Sequence, residues 1–179
     1  VQDELVLLNR ARALDQEALA LIHDTYYAAI FRYIVLRVND HETAEDLSSE
    51  VFTRLLSSLR DHTAPQKTLR GWLFSVATYV VKDYYRKKYR TRQTSLSDAL
   101  ASQTPGPDKM VEMRTTQNEL KAAITELTED QQNVIALRFG FDMPVQEVAQ
   151  TMGKSEGSIK MLQARAIAAL SRKMAEWKM

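Results

Sequence analysis

Cysteine is absent from the 179 residues, which excludes disulfides and thiolate metal sites. Glycine occurs 5 times and proline 4 times, and β-rich segments are scarce, so an all-α fold is expected. Histidine is limited to His23, His41 and His62, with no HExxH pair, and neither a metal nor a cofactor is expected. No apolar run approaches the ~20 residues that span a bilayer, and no signal-peptide pattern opens the chain. A cytoplasmic protein without membrane insertion is therefore expected. Paired catalytic carboxylates, a nucleophile beside a base and a glycine-rich phosphate loop are all missing, so the sequence does not read as an enzyme.

The formal net charge is only +1, but its distribution is uneven. Acid collects in Asp40–Glu50 and base in Lys82–Arg92. A near-neutral total here hides two surfaces of opposite sign.

Three long helices are expected first. Glu17–Val38 carries Leu19, Ile22, Tyr26, Ile30 and Tyr33 as one stripe. Asn39 and Asp40 break it, with Glu42 as the capping-box partner of Asn39. Thr43–Leu59 places Ala44, Leu47, Val51, Leu55 and Leu59 inward. After a polar loop with Pro65, Leu69–Arg90 carries Trp72, Leu73, Val76, Ala77, Val80 and Tyr84. A short helix is expected before Leu14. Thr91–Val111 then turns rich in Ser, Thr, Gln and Pro, and Pro105-Gly106-Pro107 forbids a continuous helix. As a coil, ~20 residues span roughly 25 Å. Beyond this linker, Thr116–Glu126 and a helix capped by Thr128 and Gln131 lead to Gly140.

Pro144–Leu170 reads as a helix-turn-helix. Ala149 allows close approach, Gly153 suits the left-handed turn, and Ser155 is placed to cap the second helix. Ile159, Leu162, Ala166 and Leu170 recur at helical spacing. Glu156, Ser158, Lys160, Met161 and Gln163 lie on the outer face, where a recognition helix meets a major groove. Helical hairpins with a glycine turn also serve as plain packing units. In Lys82–Arg92, six basic side chains alternate with Tyr84, Tyr85 and Tyr89. Cations neutralise phosphates and aromatic rings stack on unpaired bases; a solvated helix end with core tyrosines gives the same pattern. The acidic Asp40–Glu50 suits either a positive helix N-terminus or a docking face for a basic partner.

In this order, AEDLSSEVFTRLL (Ala44–Leu56), RGWLFSVATYVVKDYYRKK (Arg70–Lys88) and LTEDQQNVIALRF…VQEVAQTMGKSEGSIKMLQAR (Leu127–Arg165) resemble a bacterial sigma factor of the sigma-70 superfamily, in the small extracytoplasmic-function (ECF) group. The resemblance implies two helical domains: 1–92 as region two and 114–179 as region four, joined by a linker over 93–113. It implies core RNA polymerase as a partner, with Glu45, Asp46, Ser49 and Glu50 on the β′ clamp helices and part of the second domain on the β flap. The linker would run through the polymerase towards the RNA exit path. Promoter DNA is the second partner. Tyr79, Lys82, Tyr84, Tyr85, Arg86, Lys87, Lys88 and Arg90 would recognise and melt the −10 element. Ser155, Ser158, Lys160, Gln163 and Arg165 would read the −35 element. An anti-sigma factor is a frequent further partner in this family. Two positions depart from it: Ser49 stands where Gln is usual, and Tyr79 where Asn is usual. The alternative is a stand-alone helix-turn-helix regulator whose first helices form a dimerisation or effector module.

Overall fold

The computed structural model describes residues 2–65, 68–94 and 113–176, and their regular structure is helical throughout. The first half is built from α1 (Gln2–Arg12), α2 (Gln16–Val38), α3 (His41–Arg60) and α4 (Leu69–Thr94). Helices α2, α3 and α4 pack against one another, and α1 lies across α2 and α3. The second half comprises α5 (Met113–Thr125), α6 (Glu129–Ile135), α7 (Val145–Met152) and α8 (Glu156–Glu176). Here α5, α6 and α7 all pack on α8. The ends of the expected linker are helical, since α4 runs through Thr94 and α5 begins at Met113. Its remainder, 95–112 with Pro105-Gly106-Pro107, lies outside the described residues.

Local chemistry sets the helix boundaries. The Asp15 carboxylate accepts the N–H groups of Glu17 and Ala18, two donors that the first turn of α2 cannot satisfy internally. Asn39 ends α2 in the left-handed conformation, at φ 55°, with its N–H on the Val35 carbonyl. That assignment corrects the expected capping box. The cap of α3 is Asp40, whose carboxylate accepts Thr43 N–H at 2.8 Å, so the third helical position is Thr43 and not Glu42. Hydrogen bonds from Thr43 hold the Asp40 carboxyl below its usual range. The box at Thr128 does form: Gln131 N–H donates to the Thr128 hydroxyl, and Thr128 N–H to Gln131 Oε1.

All five predicted inward residues of α3 are buried. In α2 the stripe holds at Ile22, Tyr26, Ile30 and Tyr33, whereas Leu19 is half-buried at its edge. In α4, Leu73, Ala77 and Val80 are closed off, with Trp72, Val76 and Tyr84 half-buried around them. Between α6 and α7 the chain widens into a π turn, Ala136–Gly140, in which Phe141 N–H reaches the Ala136 carbonyl at 3.0 Å.

One apolar core runs through both halves. The rings of Phe74 and Phe141 meet edge to face at 6.0 Å. Asn133 accepts from Arg37 Nη2 at 2.7 Å, and the Arg37 guanidinium lies 3.7 Å from the centroid of the Tyr33 ring. Burial pushes the Tyr33 hydroxyl up in pKa and the Arg37 guanidinium down, the charged form being disfavoured in each case. The second seam joins the start of α4 to α7. Arg70, with a side chain 16% exposed, donates through Nη2 to Glu147 at 2.8 Å and through Nη1 to the Asp142 carbonyl at 3.0 Å. Its Nε is 3.2 Å from Glu4 Oε2, in ion-pair range but off the line of a hydrogen bond. Glu4 Oε1 also accepts the N–H groups of Leu69 and Arg70, so α4 takes its cap from α1. The Thr68 hydroxyl donates to Glu147 at 2.5 Å.

Candidate nucleic-acid interface

The acidic face of α3 follows from its register. Because the inward stripe is apolar, Glu45, Asp46 and Ser49 are left exposed and Glu50 half-exposed. Glu45 lies 3.5 Å from His41 Nδ1. Glu50 receives both Nε and Nη2 of Arg54, at 2.9 and 2.6 Å. Ser49 presents its hydroxyl side to solvent while its carbonyl takes a hydrogen bond from Thr53.

The basic face of α4 is ordered by a residue that sequence reasoning passed over. Asp83 sits inside the Lys82–Arg92 cluster with a side chain only 10% exposed, and binds Arg86 at 2.5 Å and Lys87 at 2.8 Å. Those bonds, Lys87's foremost, hold the Asp83 carboxyl below its usual range and raise the Lys87 ammonium above its own. Three- and four-residue spacings put Tyr79, Lys82, Asp83, Arg86, Lys87 and Arg90 on one side of the helix. Tyr84 and Lys88 lie on another, the ammonium 5.3 Å from the ring centroid and 3.2 Å from the hydroxyl. Tyr85 donates its hydroxyl to the Arg37 carbonyl at 2.6 Å, tying α4 to the end of α2. Tyr89 is the most open of the tyrosines, at 69% exposure, and Tyr79 is 51% exposed. Lys82 pairs with Glu129 of α6 at 3.2 Å.

The helix-turn-helix has the expected internal chemistry. Gly153 takes φ 63°, with its N–H directed to the Ala149 and Gln150 carbonyls. Ala149 is buried between the helices. Ser158 N–H donates to Ser155 Oγ at 3.2 Å, and the two hydroxyls lie 3.0 Å apart, so Ser155 caps α8. Ile159 and Ala166 are fully buried; Leu162 and Leu170 are half-buried. Ser158, Lys160, Met161 and Arg165 are exposed along the first turns of α8. Gln163 is half-buried and differently placed: its amide oxygen accepts from Arg138 Nε at 3.1 Å. Arg138 belongs to the π turn and also donates to the Met143 carbonyl. It was missed because the contact spans 25 positions and depends on the extra residue in that turn. Among the described residues no group of histidines and carboxylates is placed to hold a metal, and no helix is long and apolar enough to cross a membrane.

Comparison with known proteins places the chain in a family. Residues 22–91 match the family described as Sigma-70 region 2, and 123–172 match Sigma-70, region 4. The ECF RNA polymerase sigma factor BldN of Streptomyces coelicolor is 34% identical over 169 residues, covering 93% of this chain and 64% of BldN. The chain thus spans a little under two thirds of that relative. The ECF RNA polymerase sigma factor SigX of Bacillus subtilis is 31% identical over 166 residues, covering 89% of this chain and 84% of SigX. In fold, the structure of CnrH in complex with the cytosolic domain of CnrY superposes with a TM-score of 0.71 over 97% of both chains at 18% identity. Matched in both regions and across most of SigX, the chain belongs to the sigma-70 family, in its group of ECF RNA polymerase sigma factors.

Proposed function

We propose that the chain directs RNA polymerase to promoters through three surfaces, with 1–92 and 114–179 as its two working domains. The exposed face of α3, with Glu45, Asp46, Ser49 and Glu50, docks on the β′ clamp helices. The face of α4 with Tyr79, Lys82, Arg86, Lys87 and Arg90, helped by Tyr84, Tyr85 and Lys88, captures and opens the −10 element. The start of α8 reads the −35 element. There Ser158, Lys160 and Arg165 reach outward, Ser155 fixes the helix start and Gln163 is oriented by Arg138. The observation that carries this reading is the presence, on one chain, of an acidic helix face, a tyrosine-and-cation helix face and an outward recognition helix.

The physical division of labour is plain. Cations on α4 meet phosphates and set position, while side chains on α8 meet base edges and set sequence. Opening DNA costs stacking and pairing energy, which capture of unpaired bases by aromatic rings offsets. Two weak contacts on one chain reinforce each other, because the second forms at high effective concentration. The protein has no catalytic role and works in the cytoplasm, beside the polymerase. An anti-sigma factor is a fitting further partner, since a solved neighbour, RpoE of Bartonella quintana, is in complex with the anti-sigma factor NepR.

Run-off transcription with core polymerase, with and without this chain, tests the reading. Promoter-dependent transcripts only in its presence are expected. Duplex binding without polymerase, and no transcription with it, would favour the stand-alone regulator. Reversing Asp46 and Glu50 to Lys is expected to lower core-polymerase affinity; an unchanged affinity would remove α3 from the docking surface.

A further inference from the structure

Tyr79 stands out on α4. Ala77 and Val80 beside it are closed off, yet half of Tyr79 is exposed. That leaves apolar ring surface in water beside the packed stretch of the helix. The ring does have a cation. The guanidinium carbon of Arg54, on α3, lies 4.9 Å from the ring centroid. Arg54 is held there by Glu50, one turn earlier, through two short hydrogen bonds to a single carboxylate oxygen. A planar cation fixed over an aromatic face is attracted by the ring quadrupole and restrains the ring. One and two turns further along α4, Asp83 holds Arg86 and Lys87. A restrained ring and a row of held cations therefore lie along one side of α4.

The geometry points to Arg54 as a positioning residue: anchored by Glu50, it holds Tyr79 as a stacking platform for an unpaired nucleobase whose flanking phosphate meets Arg86 and Lys87. Every base has a face that stacks, and a phenol ring makes no edge pattern of hydrogen bonds like that of an amide, so this position ranks bases by stacking area, purines above pyrimidines. The Glu50–Arg54 pair also joins the docking helix to the capture helix, so a residue assigned to polymerase contact sets the platform's geometry. The inference rests on the −10 role proposed above for α4.

The test uses the full chain with core polymerase. A promoter is first selected from random DNA with the wild-type holoenzyme, and 2-aminopurine is then placed in turn at each position of its −10 strand in fork-junction templates. Wild type is expected to quench the probe at one position by stacking. Tyr79→Ala removes the quench and Tyr79→Trp keeps it. Arg54→Ala, measured at saturating core polymerase and with helical content unchanged, weakens capture of that base by roughly two- to five-fold, the range an exposed cation–π contact is worth. Arg54→Lys, which keeps charge but loses the planar fork, does not fully restore it. Tyr79→Asn flattens the purine preference. An Arg54→Ala protein that quenches as wild type does, or that loses quenching only in step with core affinity, overturns the positioning role. Selection that succeeds without a Tyr79-dependent quench defeats the platform and spares the sigma reading; failure to select any DNA defeats both.

Discussion

Replacing Gly71 with alanine tests the packing of α4 on α7. A Cβ at Gly71 would lie 2.8 Å from Thr151 Oγ1 and 3.2 Å from Thr68 Cγ2. The first separation is shorter than any ordinary contact, so the Thr151 side chain must turn or α7 must shift. Overpacking costs about 1–3 kcal/mol. The offending atom is one hydroxyl on a half-buried side chain, which places the cost at the lower end of that range. Against it stands the helical preference for alanine over glycine, about 1 kcal/mol at most and less in a first turn. Gly71→Ala is therefore expected to destabilise by ~0.5 kcal/mol, a fall in Tm of roughly 1–2 °C for a chain of this size. Thr151→Ala removes the obstructing oxygen. The double variant should recover wild-type stability and exceed it by up to ~1 kcal/mol. Urea unfolding of the four proteins, followed by circular dichroism, yields the coupling between the two sites. Gly71→Ala as stable as wild type, with no coupling to Thr151, would mean that α7 does not rest on α4 in this way.

Three further outcomes are expected. Ser155→Ala should cost about 1 kcal/mol through loss of the α8 cap, read by urea unfolding, whereas Ser155→Asn should retain most of the stability. Lys160→Ala should weaken −35-dependent transcription by an amount equivalent to about 1–3 kcal/mol, the worth of a base-edge contact; unchanged transcription would remove Lys160 from the reading face. The third concerns pH. The folded-state pKa of Asp83 is depressed by Lys87 and Arg86, so its stabilising contribution is present above the unfolded carboxylate pKa and is lost as pH falls through the folded one. Acid titration followed by circular dichroism should show that loss below about pH 4, and Asp83→Asn should flatten it. An identical acid profile in the variant would dissociate Asp83 from the stability of α4.

The features legible in the sequence were those written locally. The inward residues of α3 are one periodic stripe, and the Thr128–Gln131 box and the Gly153–Ser155 turn each lie within a few residues. Their chemistry is short-range and can be read from spacing. The cap of α3 was misplaced by one residue because Asn39 and Asp40 are both good caps, and only the backbone reveals that Asn39 had already closed α2. The site was half legible. Charge and aromatic content pointed to the faces of α3 and α4, but the partners within them did not. Arg54 lies four residues after Glu50, a readable ion-pair spacing, yet its position over Tyr79 arises only when α3 meets α4. Arg138 on Gln163 depends likewise on the π turn, for which no residue pattern was available. The cap that Glu4 provides for α4, 65 positions away, is likewise beyond local reading.

Arg70 has a counter-ion on either side of the seam it occupies. Breaking a buried ion pair usually strands a charge, and the stranded charge is what makes the break costly, at about 3–5 kcal/mol. Here, if α7 withdraws with Glu147, Arg70 still has Glu4, which stays on the first half. Glu147 in turn emerges into solvent, where a carboxylate is well hydrated. The join between the two halves is thus a reversible clasp rather than a weld. At Arg70 parting would orphan no ion, so the resistance to separation falls on the apolar contact around Phe74 and Phe141 and on the bond from Arg37 to Asn133.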